Sequence, residues 1–309
     1  MRIFQTPSRI IVTCNNRLSP YLQQEVSDLG FRIVRSFSTG VELKGTVTDC
    51  IRLNLNLRCA SQVLYSLKTF YCDHPEDLYQ ALVPIPWELL ISGEGYFSVT
   101  SNVFHPTIRT GMYANVKVKD AIVDRIRRKT GKRPDTGSEL KGAVAYLYWK
   151  DKQAEIFLDT SGETLAKHGY RKLPGKAPML EALASSVILA TKWDKLSPFV
   201  NPMCGSGTLA IEAALIATHR SPGLLRENYA FMHLNGFDEK PYFQERKRLD
   251  EQIIEPTGLK IIATDLSEQA VKISKINAAQ AGVEKYISFE VCDFEKTEVP
   301  EEANGIILI

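Results

Sequence analysis

The chain has 309 residues, 44% hydrophobic and 24% charged. That balance supports buried cores for two domains of roughly 100–200 residues each and excludes wholesale disorder. The net charge of +2 excludes a uniformly basic or acidic protein, and no run approaches the roughly 18 apolar residues that span a membrane.

In chain order, residues 8–13 read as a strand. Pro20 opens a helical pattern through Tyr21, Leu22, Val26 and Leu29, which Gly30 stops. Strands follow at 31–36 and 40–44 across a Ser-Thr-Gly turn. Residues 46–57 have helical spacing, and 58–71 contain a strand. This β-α-β-β-α-β order predicts a ferredoxin-like unit. A helix is expected over 76–92 and a strand over 96–101. An amphipathic helix is expected over 114–129, with Val116, Ala121, Ile122 and Ile126 toward one face. Strands at 143–149 and 154–160 close this part. Gly162, Gly169, Pro174, Gly175 and Pro178 then mark a linker. Beyond it come a helix (179–193), a strand (196–200), a glycine turn, a helix (207–218), a polar stretch (220–250), a strand (259–264), a helix (267–281) and strands at 286–291 and 304–309. Such alternation predicts a parallel, doubly wound α/β sheet. The apolar run Gly305–Ile309 closes the chain without a turn or tail, as expected for a cut inside a longer protein.

Cys14, Cys50, Cys59, Cys72, Cys204 and Cys292 form no C-x-x-C pair and lie near no histidine at zinc-ligand spacing. Reduced thiols and no metal are expected. The N-terminus has no long apolar region before a small-residue cleavage site, which reads as a cytoplasmic protein without a signal peptide.

The first chemical motif is the turn Asn201-Pro202-Met203-Cys204-Gly205-Ser206-Gly207 between a strand and a helix opening at Thr208. Its glycines permit a tight turn and close backbone approach, and the helix aims its N-terminal N–H groups at the same spot. The carboxylate of S-adenosylmethionine suits such a place. About sixty residues on, a strand ends at Asp265-Leu266, where a carboxylate can bind both ribose hydroxyls. After the next strand, Asp293 can accept the adenine amine and Phe294 can pack on the ring. Singly, each also reads as an ordinary turn, a helix cap or a loop acid. Together, at three consecutive strand ends, they point to S-adenosylmethionine. A dinucleotide would want G-x-G-x-x-G with the acid about 20 residues on.

Residues 107–152 hold twelve Lys/Arg against five Asp/Glu, the footprint of a polyanion partner. Lys117, Lys119, Arg125, Arg127, Arg128, Lys129, Lys132 and Arg133 are the candidate phosphate contacts, with Arg109 a weaker one. The competing reading is a solvated helix face whose last turn answers the helix dipole. His105 reads as a loop residue. Tyr170 and Arg171 could meet RNA or cofactor, or only anchor the linker.

NPMCGSGTLAIEAALIA resembles the first motif of class I RNA guanine-N2 methyltransferases, with Asn201 where that family usually has Asp. KAPMLEALASSVILATKW resembles the helix before it. SPGLLRENYAFMHLNGFDEKPYFQERK resembles the insertion of RlmL-type large-subunit rRNA methyltransferases, and VKDAIVDRIRRKTGKRPD resembles the RNA-binding segment of THUMP domains. The resemblance implies a ferredoxin-like unit (1–65), a THUMP domain (66–160), a linker (161–178) and a partial Rossmann-like methyltransferase domain (179–309). It implies S-adenosylmethionine as cofactor and guanine N2 of structured RNA, most naturally 23S rRNA, as substrate. A tRNA substrate, or an inactive RNA- and cofactor-binding fragment, are the alternatives. The family's Asn-Pro-Pro-Tyr motif does not occur here, so no catalytic residue is assigned. A DNA adenine or glutamine methyltransferase shares that motif, but the THUMP-like segment argues against it.

Overall fold

The computed structural model describes residues 3–106, 108, 110–175, 178–301 and 305–308. The first half runs β1 (Ser8–Thr13), α1 (Ser19–Asp28), β2 (Ile33–Phe37), β3 (Gly40–Gly45), α2 (Val47–Asn56) and β4 (Gln62–Tyr71), the expected ferredoxin-like order. It continues with α3 (Pro75–Leu82), β5 (Tyr96–Phe104), α4 (Gly111–Thr130), β6 (Asp135–Thr136), β7 (Ala143–Lys150) and β8 (Gln153–Asp159). All eight strands share one sheet, ordered β2-β3-β1-β4-β8-β7-β5-β6. The boundary expected at residue 65 therefore falls inside β4. That strand pairs antiparallel with β1 on one side and β8 on the other, with a bulge between Ser66 and Lys68.

One apolar core joins the sheet to its helices. Val12, Leu43, Leu147 and Ile156 from strands meet Leu22, Ile51, Leu78 and Ile122 from α1–α4. On α4 the buried positions are Ala114, Val118, Ala121, Ile122, Val123 and Ile126. Val116 is exposed, contrary to expectation, because it stands two positions from both Ala114 and Val118 and so falls off the i, i+4, i+7 stripe. The helix expected over 76–92 stops at Leu82. Pro84 and Pro86 lack the backbone N–H that continued helical hydrogen bonding needs, and only a 3-10 turn at Trp87–Leu89 follows.

The second half holds α5 (Glu181–Ala190), β9 (Phe199–Pro202), α6 (Thr208–Ala217), α7 (Glu239–Glu251), β10 (Ile261–Asp265), α8 (Glu268–Gln280), β11 (Ile287–Val291) and β12 (Ile306–Ile307). Its four strands are parallel, in the order β11-β10-β9-β12. The chain winds outward from β9 to β11 and then returns to β9's other side. The order reverses at β9, and ligands of open α/β sheets sit at the carboxyl ends of strands at such a point. All ten residues of α6 are buried, as in a helix with no solvent face.

The stretch expected to be merely polar, 220–250, contains α7. Only Tyr242, Glu245 and Leu249 are buried on it, too sparse a stripe to show as periodicity. It packs on α2, where Asn56 Nδ2 donates to Glu245 Oε1 at 2.7 Å and Arg248 donates to Asn56 Oδ1 at 2.9 Å. Among the described residues no helix is long and apolar enough to cross a membrane.

Candidate cofactor site and nucleic-acid face

The glycine turn leaves β9 through two left-handed residues, Met203 (φ +62°) and Gly205 (φ +56°), and enters α6 through a third, Gly207 (φ +82°). Cys204 N–H donates to Thr264 C=O at 2.8 Å and Gly207 N–H to Cys204 C=O at 2.8 Å, so the turn is pinned to β10 and to itself. The two glycines do different work. A side chain at Gly207 would lie 2.0 Å from Ser274 Oγ of α8, so Gly207 serves helix packing rather than ligand approach. A side chain at Gly205 would meet nothing within 4 Å, so the flank of this glycine is open.

Asp265 closes the turn from β10. Its Oδ2 accepts from Gly205 N–H at 2.9 Å and its Oδ1 from Ser267 N–H at 2.9 Å. A carboxylate has about four lone-pair sites, so each oxygen keeps one for a ligand hydroxyl. Ser267, not Asp265, caps α8, accepting from Ala270 N–H at 3.3 Å. Asp293, half-buried, accepts from Glu295 N–H at 3.1 Å at the start of a 3-10 turn. Leu266, Phe294 and Met203 are exposed at 72, 53 and 51%. They are apolar side chains at three adjacent strand ends.

Pro202 is buried at the end of β9. Asn201, 2% exposed, donates from Nδ2 to Leu308 C=O at 2.9 Å, while its Oδ1 has no partner. Burial raises the Cys204 thiol to about 12, so it is not a nucleophile at neutral pH. Thr208 is buried, and its hydroxyl accepts from Arg171 Nη2 at 3.0 Å. No side chain caps the N-terminus of α6, whose first N–H groups suit an anion.

Two residues the sequence left open hold the linker over this turn. Tyr170 is buried in the core of the second sheet, and Arg171 ties Thr208 to Glu181 (Nε to Oε1, 3.5 Å), so both anchor the linker. Asn277 of α8 also ties the linker to the turn. Fully buried, it accepts from Lys172 and Leu173 N–H and donates to Leu173 and Ser206 C=O, at 3.1 to 3.3 Å. One amide inside a helix gives no sequence signal of that kind.

The candidate phosphate contacts divide. Arg125 makes a bidentate pair with Glu88 at 2.8 and 2.9 Å, which holds Glu88 below the usual carboxylate range. Lys117 pairs with Glu76 at 3.2 Å, Lys119 with Asp120 at 3.4 Å and Lys132 with Glu94 at 2.7 Å. Arg127, Arg128, Lys129 and Arg133 are exposed and make no ion pair among the described residues. These four cluster where α4 ends at the left-handed Gly131. Arg109 lies outside the described residues. His105 packs its ring 4.8 Å from that of Trp149. No group of three metal-ligand side chains occurs among the described residues.

A parallel sheet with its ligand-type turn at the switch point, joined to an α/β unit that presents a basic helix end, defines the class of THUMP-bearing methyltransferases. Three family models divide the chain: an RlmL ferredoxin-like domain over 9–64, a THUMP domain over 72–138 and an RMKL-like methyltransferase domain over 168–308. The chain thus carries RlmL ferredoxin-like, THUMP and RMKL-like methyltransferase domains in that order. It is 34% identical over 302 residues to "Ribosomal RNA large subunit methyltransferase K/L" of Psychromonas ingrahamii, covering 94% of this chain and 39% of that protein. The chain thus spans about two-fifths of the length of the curated relatives it matches. Among solved structures, "a possible methylase from Clostridium difficile 630" superposes with a TM-score of 0.86 at 28% identity, over 98% of this chain and 79% of that one. SMU.472, described as a methyltransferase complexed with SAH, gives 0.86 at 26% identity, over 98% and 80%.

Proposed function

We propose that this chain binds S-adenosylmethionine at the Asn201–Thr208 turn and presents it to the guanine N2 of structured RNA, most naturally 23S rRNA, in the cytoplasm. The observation that carries the reading is the Asp265 clamp. One carboxylate holds the Gly205 N–H between adjacent parallel strands, beside the uncapped α6 and an open glycine flank. A relative solved with S-adenosylhomocysteine and relatives named for rRNA methylation support it.

The residues fit the cofactor. The α6 N-terminus faces its carboxylate, and Asn201 Oδ1, buried and unpaired, supplies an acceptor beside it. Asp265 keeps lone pairs for the ribose, and Asp293 with Phe294 brackets the adenine. The bound cofactor supplies an electrophilic sulfonium methyl. The chain's own work is positioning and charge placement. Arg127, Arg128, Lys129 and Arg133 hold phosphates, and a guanine in a helix must be extruded to reach the turn. Residues 1–309 carry no Asn-Pro-Pro-Tyr motif, so we assign them binding steps and no catalytic residue. We place the domain limits at 1–65, 66–160, 161–178 and 179–309, with β4 bridging the first two.

Calorimetry with S-adenosylmethionine and S-adenosylhomocysteine tests the site. Heat of binding that vanishes in Asp265→Ala supports it, and equal affinity in that variant overturns it. Methyl transfer by residues 1–309 alone would overturn the division of labour. Tighter binding of tRNA than of 23S rRNA by this chain would overturn the substrate.

A further inference from the structure

Helices α1–α4 fill one face of the eight-stranded sheet. The other face is a groove of about 1180 Å³ lined only by strands and their turns. Strand side chains alternate, and the registers show what this face carries. Asn102 stands opposite Tyr148, Phe104 opposite Lys150, Tyr148 opposite Glu155, and Tyr71 opposite Gln153. Tyr146 and Phe157, 6 and 3% exposed, pack edge-on at 6.1 Å over Ile11 and Leu64 as a floor. Around that floor the rings are exposed, with the Tyr71 hydroxyl donating to Asp73 at 3.3 Å. Tyr71, Phe104 and Tyr148 are 65, 58 and 38% exposed, with Phe104 and Tyr148 centred 6.0 Å apart.

The charges on the face are unequal. Of the three carboxylates that line it, Glu42 and Glu155 are both answered by Arg9, and Asp151 lies on the turn between Lys150 and Lys152. Arg35 and Lys150, toward opposite sides, make no ion pair among the described residues. Thr13 Oγ1 and Thr100 Oγ1, also on this face, are buried without a partner. From β2 to β5 the sheet spans six strand spacings, about 29 Å. The few aliphatic side chains are shielded, whereas the core of a protein interface is largely apolar and poor in unanswered charge. Exposed rings flanked by free cations match unpaired nucleotides, whose bases stack and whose phosphates need charge.

We infer that this groove binds a short unpaired stretch of RNA, its bases stacked on Tyr148, Phe104 and Tyr71 and its phosphates near Arg35 and Lys150. The inference rests on the RNA-substrate reading but uses a surface separate from the α4 cluster. A duplex segment would meet α4 while a neighbouring single strand lies across the sheet.

The test compares two labelled probes by fluorescence anisotropy: an unstructured oligouridine of about eight nucleotides and a blunt RNA duplex of about 16 base pairs. The double variant Tyr148→Ala/Phe104→Ala should weaken oligouridine binding by at least about tenfold, since each lost stacking ring is worth a factor of that order. Duplex affinity should shift by less than about twofold. Tyr148→Phe should bind as the parent does. Lys150→Glu, on an exposed site, should lower the oligouridine salt slope by about 0.7. Unchanged oligouridine affinity in the double variant, or duplex binding without any oligouridine binding, overturns the inference and spares the α4 reading. Loss of self-association in the double variant would assign the face to a second copy and overturn it too. If neither probe binds, the RNA reading itself fails.

Discussion

Gly205 and Gly207 should part company under the same substitution. Both have positive φ, so a methyl group at either costs about 1–2 kcal/mol in backbone strain. At Gly205 nothing lies within 4 Å of the new carbon, and the strain is the whole cost. At Gly207 the carbon lands 2.0 Å from Ser274 Oγ and 3.0 Å from its Cβ, and Ser274 is fully buried. Overpacking of that kind adds about 1–3 kcal/mol, giving about 2–5 kcal/mol in all. At about 2–4 °C per kcal/mol, Gly205→Ala should lower Tm by about 2–8 °C and Gly207→Ala by about 4–20 °C, with Gly207→Ala always the lower of the two. Ligand affinity should run the other way. The Gly205→Ala methyl enters the space the cofactor needs, and a clash of about 2 kcal/mol corresponds to about a 30-fold loss. Adding Ser274→Ala to Gly207→Ala removes the 2.0 Å contact and should restore part of the stability. Differential scanning fluorimetry gives the first ordering and calorimetry with S-adenosylhomocysteine the second. Gly205→Ala binding within about twofold of the parent would show that the ligand does not lie along this flank. Equal stability of the two variants would refute the packing role of Gly207.

Asp265→Ala should cost about 1–3 kcal/mol of stability as well as cofactor affinity, because Gly205 and Ser267 lose their acceptor; urea unfolding that matches the parent would separate the clamp from the turn. Arg127→Glu/Arg128→Glu should reduce the salt slope of duplex RNA binding by about 2, two phosphate contacts at about 0.9 each, with an unaltered slope returning the helix end to solvent. Arg125→Ala, which strands Glu88, should instead lower Tm and leave the slope alone, and the opposite pattern would make Arg125 the RNA contact. Burial raises the Asp159 carboxyl from 3.8 to about 6. The folded state therefore holds a proton there that the unfolded state has lost, and this group's contribution to stability falls as pH rises from about 4 to 6. Asp159→Asn keeps the Ser161 N–H acceptor and lets Gln62 turn its amide. Its advantage over the parent should grow by up to about 3 kcal/mol between pH 4 and 7, and a pH-independent difference in urea midpoints would exclude the effect.

The first sheet was legible because β1 and β4 are runs rich in branched and aromatic residues and Ser-Thr-Gly turn chemistry separates β2 from β3. The second was legible because strand, turn and helix alternate between apolar runs. Apart from the local effect of Pro84 and Pro86, what was illegible depends on residues distant in sequence. Val116 looks apolar enough for the core, but the stripe on α4 is set by α3 and β5 packing beneath it. Two prolines broke a pattern that composition alone joined at 76–92. α7 hides because two apolar residues suffice when α2 supplies the rest of the contact. At the site, the three strand-end motifs were visible as motifs. The division of labour between Gly205 and Gly207 was not, since Ser274 lies 67 positions away. Nor could charge counting show that four of the eight lysines and arginines at 117–133 are already answered by carboxylates at 76, 88, 94 and 120.

The largest hidden feature lies between the two sheets. Arg58, just before β4, donates to the Leu215 carbonyl at 3.4 Å and to that of Arg220, at the C-terminal end of α6 where a cation suits the dipole. Midway along the same helix Glu212, the sole charge among ten buried residues, accepts from Ser185 at 2.6 Å and pairs with His168 at 2.8 Å. Burial pushes the Glu212 carboxyl up, but His168, the Ser185 hydroxyl and Arg58 together hold it below the ordinary range. His168 also reaches the Arg58 carbonyl at 3.0 Å. Glu25 of α1 accepts the backbone N–H groups of Arg58 and Cys59 at 2.9 Å. The helix that begins at the glycine turn is thus held at its middle by His168 of the linker and Ser185 of α5, and at its far end, about 15 Å from its start, by Arg58 beside the first sheet. A buried pair is weak evidence for stability, but breaking one strands a charge at about 3–5 kcal/mol. Rotation of one sheet against the other would break several. For the proposed RNA substrate, the geometry therefore favours an RNA that deforms, extruding its base toward a fixed turn, over a protein that closes around it.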